Sequence, residues 1–156
     1  MTNQKIRTCL WFDGNAEEAA RFYVSVFEDR GDSAVTGVTP GPNGAALVIA
    51  FRLAGVEFLA LNGGPHFKFN EAVSLSVDCR SQEELDELWE KLSAGGAPGQ
   101  CGWLKDRYGL SWQIVPAVLP QLLAGADPGR AKRVMDALMG MARLDIRALE
   151  AAADAA

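Results

Sequence analysis

The side chain best suited to move a proton near neutral pH is His66, the single histidine among 156 residues, because imidazole alone has an unperturbed charge change in that range. It stands in Gly63-Gly64-Pro65-His66 with no carboxylate beside it in sequence, so it reads as a loop residue that contacts a ligand only where that loop borders a pocket. Cys9, Cys79 and Cys101 lie far apart without a C-x-x-C pair, each in or beside an apolar run, and read as buried or half-buried free thiols. Trp11, Trp103 and Trp112 read as core or interface rings, Trp103 also as a surface on which a flat ligand would stack. Lys105-Asp106-Arg107 reads as a solvated turn whose two cations are candidates for holding an anion, and Glu57 as a solvent-facing strand residue.

Composition bounds the chemistry. Charged residues make up 22% and apolar residues 49% of the chain, the balance of one globular domain, without a run long enough for a membrane span. The net charge of −5, with 15 Lys and Arg scattered along the chain, leaves no basic stripe for a phosphate backbone, so nucleic acid is excluded as a partner class. The opening residues lack the apolar stretch and cleavage site of a secretory signal, and a cytoplasmic location is the expectation.

The elements that must position these residues follow from periodicity and turn chemistry. Ile6–Phe12 suits a first strand and is broken by Asp13-Gly14. Asn15 is the expected N-cap of an amphipathic helix with Ala19, Ala20, Phe22, Tyr23, Val26 and Phe27 at helical spacing. Ala34–Thr39, Ala45–Leu53 and Val56–Asn62 read as three strands, the last two joined by Ala54-Gly55 as a tight hairpin. After a linker at 63–66, Ala72–Asp78 alternates with period two, Ser81 and Glu84 form a capping box for a helix burying Leu85, Leu88, Trp89 and Leu92, and Gly95-Gly96 ends it. Three short strands are expected near Gln100–Gly102, Trp103–Asp106 and Leu110–Val115. The order strand, helix, strands thus occurs twice. Helices then follow over 118–123, from Asp127-Pro128 through Met141, and from Asp145 to Ala156.

Leu10–Tyr23 (LWFDGNAEEAARFY), Gly102–Pro116 (GWLKDRYGLSWQIVP) and Phe67–Leu75 (FKFNEAVSL) resemble the PhnB-like branch of the vicinal oxygen chelate superfamily, which includes glyoxalases and bleomycin-resistance proteins. Members of the branch often carry the description 3-demethylubiquinone-9 3-methyltransferase. The resemblance implies an α+β fold of two βαβββ modules closing a cup over residues 1–116, with halves of about 1–63 and 64–116, and a helical extension over 117–156 that packs on the domain or on a dimer partner. It also implies a homodimer. A methyl donor would be expected at a glycine-rich turn between a parallel strand and a helix, and the sequence has no such turn.

In metal-using relatives the ligands come from first and last strands of the two halves, as His and Glu. The corresponding positions here fall near Thr8, Leu59–Leu61, Ala72 or Ser74, and Gln113, none of them a side chain that holds a divalent ion well. The resemblance therefore implies no metal and no cofactor. It implies an apolar pocket with Thr8, Ser74, Ser76 and Gln113 along one face of their strands, and with His66 and Trp103 as further candidate contacts. The leading functional reading is a metal-independent binding module for an unknown small molecule. The alternative is an enzyme of the glyoxalase superfamily, a lyase, isomerase or methyltransferase-like protein acting on a small oxygenated substrate. A third possibility is a scaffold whose cup is filled by its own side chains.

Overall fold

The computed structural model describes residues 3–125 and 127–155. It is an α+β protein whose chain falls into two compact units, Met1–Phe69 and Asn70–Ala156.

The first unit runs β1 (Thr8–Phe12), α1 (Ala16–Phe27), β2 (Ala34–Pro40), β3 (Ala46–Leu53) and β4 (Val56–Asn62), a βαβββ module with the strand order β1-β4-β3-β2. Strands β1 and β4 are parallel, and the other pairs are antiparallel. Alternation along the strands sorts the two faces. Leu10, Phe12, Ile49, Phe51, Leu53, Phe58 and Ala60 are buried together with Ala16, Ala19, Ala20, Tyr23, Val26 and Phe27 of α1. Their rings pack Tyr23 on Phe51 and Phe51 on Phe58, with centroids 6.3 and 5.4 Å apart.

Asn15 does not cap α1, because its backbone (φ −114°, ψ 25°) departs from the extended capping geometry and its side chain makes no cap bond. Asn62 does the work from β4 instead. Its Oδ1 accepts from the Ala16 amide at 2.9 Å and its Nδ2 donates to the Ala46 carbonyl at 3.0 Å, satisfying an orphan helix donor across the sheet.

The β3–β4 hairpin closes through Ala54 (φ 48°) and Gly55 (φ 85°), with Leu53 opposite Val56. Two successive left-handed residues define the hairpin turn whose twist suits flanking strands, and alanine is a poor occupant of its first position. Ala54 is exposed. Ala54→Asn is expected to add about 0.5–1 kcal/mol of stability, read as a higher urea midpoint at unchanged slope.

The second unit repeats the order: β5 (Ser74–Cys79), α2 (Gln82–Ser93), β6 (Ala97–Pro98), β7 (Trp103–Lys105) and β8 (Ser111–Pro116), with strand order β5-β8-β7-β6. Ser81 Oγ accepts from the Glu84 amide at 3.1 Å, and Glu84 Oε2 reaches back to the Arg80 amide at 2.9 Å. Leu85, Leu88, Trp89 and Leu92 of α2 are buried, as are Leu104, Trp112 and Ile114 of the sheet.

The expected strand at Gln100–Gly102 is a turn. Cys101 and Gly102 both have positive φ, 61° and 86°, which no strand accommodates, and their amides donate to the Met141 and Ala142 carbonyls. The edge strand lies earlier, at Ala97–Pro98, where the proline costs no ladder bond.

The C-terminal helices α3 (Leu119–Leu123), α4 (Pro128–Met139) and α5 (Ile146–Asp154) belong to this second unit. Helix α4 stops two residues before the expected Met141, and the Ala156 end expected for the last helix lies outside the described residues. Asp127 and Asp145 cap α4 and α5 through the Gly129 and Ala148 amides, both at 3.0 Å. Gln82 ties them to the module, donating to the Leu144 carbonyl at 3.0 Å and accepting from the Ile146 amide at 2.8 Å. Among the described residues no helix is long and apolar enough to cross a membrane.

Candidate functional site

The strand register of the second unit places its polar side chains on one face. Trp103 lies opposite Gln113 and Lys105 opposite Ser111 across β7–β8, while Ser74 and Ser76 lie beside Ser111 and Gln113 across β5–β8. These positions alternate with Leu104, Trp112 and Ile114, which are buried. Gln113 Nε2 donates to Ser74 Oγ at 2.9 Å, so that pair satisfies itself.

A pocket of about 340 Å³ opens on the same unit, lined by Trp103, Lys105, Ser111, Glu71 and the edge segment Ala97–Gly99. Its size falls within the range of small-molecule sites. Ser111 is 1% exposed, and its hydroxyl has no hydrogen-bond partner. A closed hydroxyl left without a partner is unusual, since buried polar groups are nearly always bonded. Lys105 Nζ is ion-paired with a Glu71 carboxylate oxygen, both side chains being substantially exposed.

The Lys105 ammonium, by donating to it, holds the Glu71 carboxyl below its ordinary value. A carboxyl depressed in the folded state contributes stability above its unfolded value and loses it as pH falls through the folded one. In an NMR titration, the Glu71 midpoint should lie below that of glutamate in an unfolded peptide, and Lys105→Met should return it towards that value.

What holds this corner in shape is Asp106, which was expected in a solvated turn and is 2% exposed. Its Oδ1 accepts from the Tyr108 and Leu110 amides at 2.8 and 3.1 Å, and its Oδ2 from Trp112 Nε1 at 2.9 Å. The carboxylate turns the chain between Lys105 and Ser111 by replacing water as acceptor for these donors. Glu57, expected to face solvent, is likewise buried at 6%, with Arg52 Nη1 3.6 Å from its carboxylate. The cross-strand placement of Arg52 and Glu57 explains its burial.

The other candidates lie in the first unit. Thr8 alternates with Leu10 and Phe12, so it belongs to the face that carries the α1 core, where it is exposed at the strand start. Cys9 and Trp11 occupy the opposite face. Thr8, expected on a pocket-lining face, thus stands on the same side of β1 as Leu10 and Phe12. Cys9 is exposed rather than half-buried, although partial desolvation pushes its thiol up, away from the reactive thiolate. Trp11 stacks edge-on with Phe67, centroids 4.9 Å apart, and donates from Nε1 to the Gly64 carbonyl at 2.9 Å. His66, in the same segment, is exposed. Neither Thr8 nor His66 lines the pocket.

Among the described residues no three His, Cys, Asp or Glu side chains converge to hold a metal ion, and the pocket's donors, one ion-paired carboxylate, one amine and one hydroxyl, do not fit a divalent cation. A methyl-donor nucleotide fits no better at the helix starts. The α1 start is engaged by Asn62 and the α2 start by Ser81 and Glu84, which leaves neither as an open anion cradle.

A profile of the family described as 3-demethylubiquinone-9 3-methyltransferase matches residues 4–115. The chain belongs to this family. It is the PhnB-like branch of the vicinal oxygen chelate superfamily. A Bacillus cereus PhnB structure carrying the same methyltransferase description is 35% identical, with a TM-score of 0.67 over 73% of this chain and 100% of its own. A Pseudomonas aeruginosa protein is 19% identical, with a TM-score of 0.56 over 70% of this chain and 95% of its own. The fosfomycin resistance protein FosX of Listeria monocytogenes is 15% identical, with a TM-score of 0.55 over 80% of this chain and 100% of its own. The last two share the fold. No curated protein matches. The PhnB-like assignment and the twice-repeated βαβββ order agree on the glyoxalase and bleomycin-resistance fold.

The residues that reading the sequence missed are Ser111 and Glu71, while Lys105 was a candidate for holding an anion. Ser111 carried a signal, since Ser111-Trp112-Gln113-Ile114 alternates polar and apolar, which assigns Ser111 to the face of Gln113. Glu71 carried none, because its pairing with Lys105 is set by tertiary placement.

Proposed function

We propose that the chain is a metal-independent binding module for a small organic molecule that sits over Ser111 against Trp103. The observation that carries this reading is the closed, unpartnered Ser111 hydroxyl on the wall of a pocket of about 340 Å³. An apolar recess with a few placed polar groups is the usual form of a small-molecule site. Catalysis would need titratable groups free to act there, and the two that line the pocket, Glu71 and Lys105, are paired with each other. Asp106 is committed to three donors. A homodimer forms part of the same reading, supported by the family resemblance and by Met135 and Met139, one turn apart on α4 and both exposed.

The test is a melting-temperature survey of chelator-treated full-length protein against small organic acids, amides, quinones and antibiotics, repeated with divalent ions. A ligand that binds only the native state raises the melting temperature by mass action. The reading requires a shift from an organic compound without metal, lost in Trp103→Ala. A shift seen only with a divalent ion would reject it.

A further inference from the structure

The pocket's ligand class follows from the side chains that stand around Ser111. Ser111 lines the pocket, yet its hydroxyl is closed to solvent and unpartnered. Lys105, directly opposite Ser111 in the β7–β8 register, has a Cβ about 4.5–5.5 Å away by the geometry of such pairs, and Glu71 lies on its ammonium. An ion pair this exposed contributes little and opens readily, whereas a hydroxyl closed off without a partner is penalised until one arrives. With Glu71 displaced, directly opposed positions of β7 and β8 offer two donors, an ammonium and a hydroxyl, with Trp103 two residues along the same face. Adjacent donors of this kind match the two oxygens of a carboxylate.

We propose that the pocket takes the carboxylate of a small, flat organic acid, which displaces the Glu71 carboxylate from Lys105 and accepts from Ser111 while its apolar body lies against Trp103. Glu71 is thus a built-in competitor that holds the place of the ligand's acid group. This rests on the binding-module reading and sharpens it to one ligand chemistry.

The test uses the full-length protein, with benzoate and its uncharged counterpart benzamide as probes, followed by the Trp103 indole signal in nitrogen–proton NMR spectra. Benzoate should shift that signal and bind at least about tenfold more tightly than benzamide, as a charge-assisted contact requires. Glu71→Gln should tighten benzoate about two- to fivefold, the worth of an exposed ion pair, and leave benzamide unchanged. Lys105→Met should reduce benzoate to the level of benzamide. Equal binding of the two probes with no effect of Glu71→Gln overturns the carboxylate exchange while the pocket stands. No shift of the Trp103 signal with either probe overturns the pocket itself, and the exchange with it.

Discussion

Asp106→Ala is expected to cost about 4 kcal/mol of folding stability, because it strips the acceptor from several buried or part-buried donors at once. The Leu110 amide and Trp112 Nε1 point at Asp106 from buried positions, and each buried donor left without a partner costs about 1–3 kcal/mol. Loss of the bond to the part-buried Tyr108 amide adds a smaller amount. Asp106→Asn separates charge from geometry. It keeps an oxygen for the two amides but turns an NH₂ group towards Trp112 Nε1, so an intermediate loss of about 2 kcal/mol is expected. Urea unfolding of both variants, with Trp112→Phe as the third corner of a double-mutant cycle, apportions the indole bond. Equal stability of Asp106→Ala and the parent would mean that the carboxylate does not hold the turn. Because Asp106 stands between Lys105 and Ser111, its loss should also weaken whatever the pocket binds.

Gly96→Ala comes second, with an expected cost of about 3 kcal/mol or more, in the range of severe overpacking. A Cβ built there would lie 2.1 Å from the Lys105 carbonyl oxygen and 2.7 Å from the Asp106 carbonyl carbon. Both obstacles are backbone, so no side-chain rotation relieves them, and β6 would be pushed off β7 along the pocket's edge. Gly44→Ala is the control. It has a left-handed φ of 84° but nothing within 4 Å of the added atom, so only the backbone penalty of about 1–2 kcal/mol applies. If the two variants unfold at the same urea concentration, close approach at Gly96 is not what selects glycine.

Much of the fold was legible because its signals are local. Alternation marked β5, helical spacing gave the buried faces of α1 and α2, and Ser81 with Glu84 fixed where α2 starts. The failures share a cause in that tertiary partners overrode local preference. Asn15 looks like a cap, but Asn62 reaches the α1 start from another strand. Gln100–Gly102 looks extended, yet its amides bond to carbonyls of the segment after α4.

For the site, residue types misled where burial decides. Asp106 and Glu57 were read by their charge as solvent-facing, but a carboxylate that meets several donors, or a cross-strand arginine, can be buried. Ser74, Ser76 and Gln113 were read onto one face of their strands, and the register of β5, β8 and β7 sets Ser74 beside Ser111, Ser76 beside Gln113 and Trp103 opposite Gln113. Thr8 fell on the side of β1 that carries Leu10 and Phe12, and His66 on an exposed turn of the first unit.

Binding of an organic molecule at Ser111 without a metal, as proposed for this PhnB-like chain, can be checked by mapping the binding site on chelator-treated full-length protein. Backbone and indole signals would be assigned, and chemical-shift changes followed as a mixed library of small organic compounds is added. The expected result is that compounds which bind perturb Trp103, Lys105, Ser111 and Glu71 together, with no requirement for a divalent ion. Perturbations confined to other residues, or appearing only once a divalent ion is restored, would contradict it.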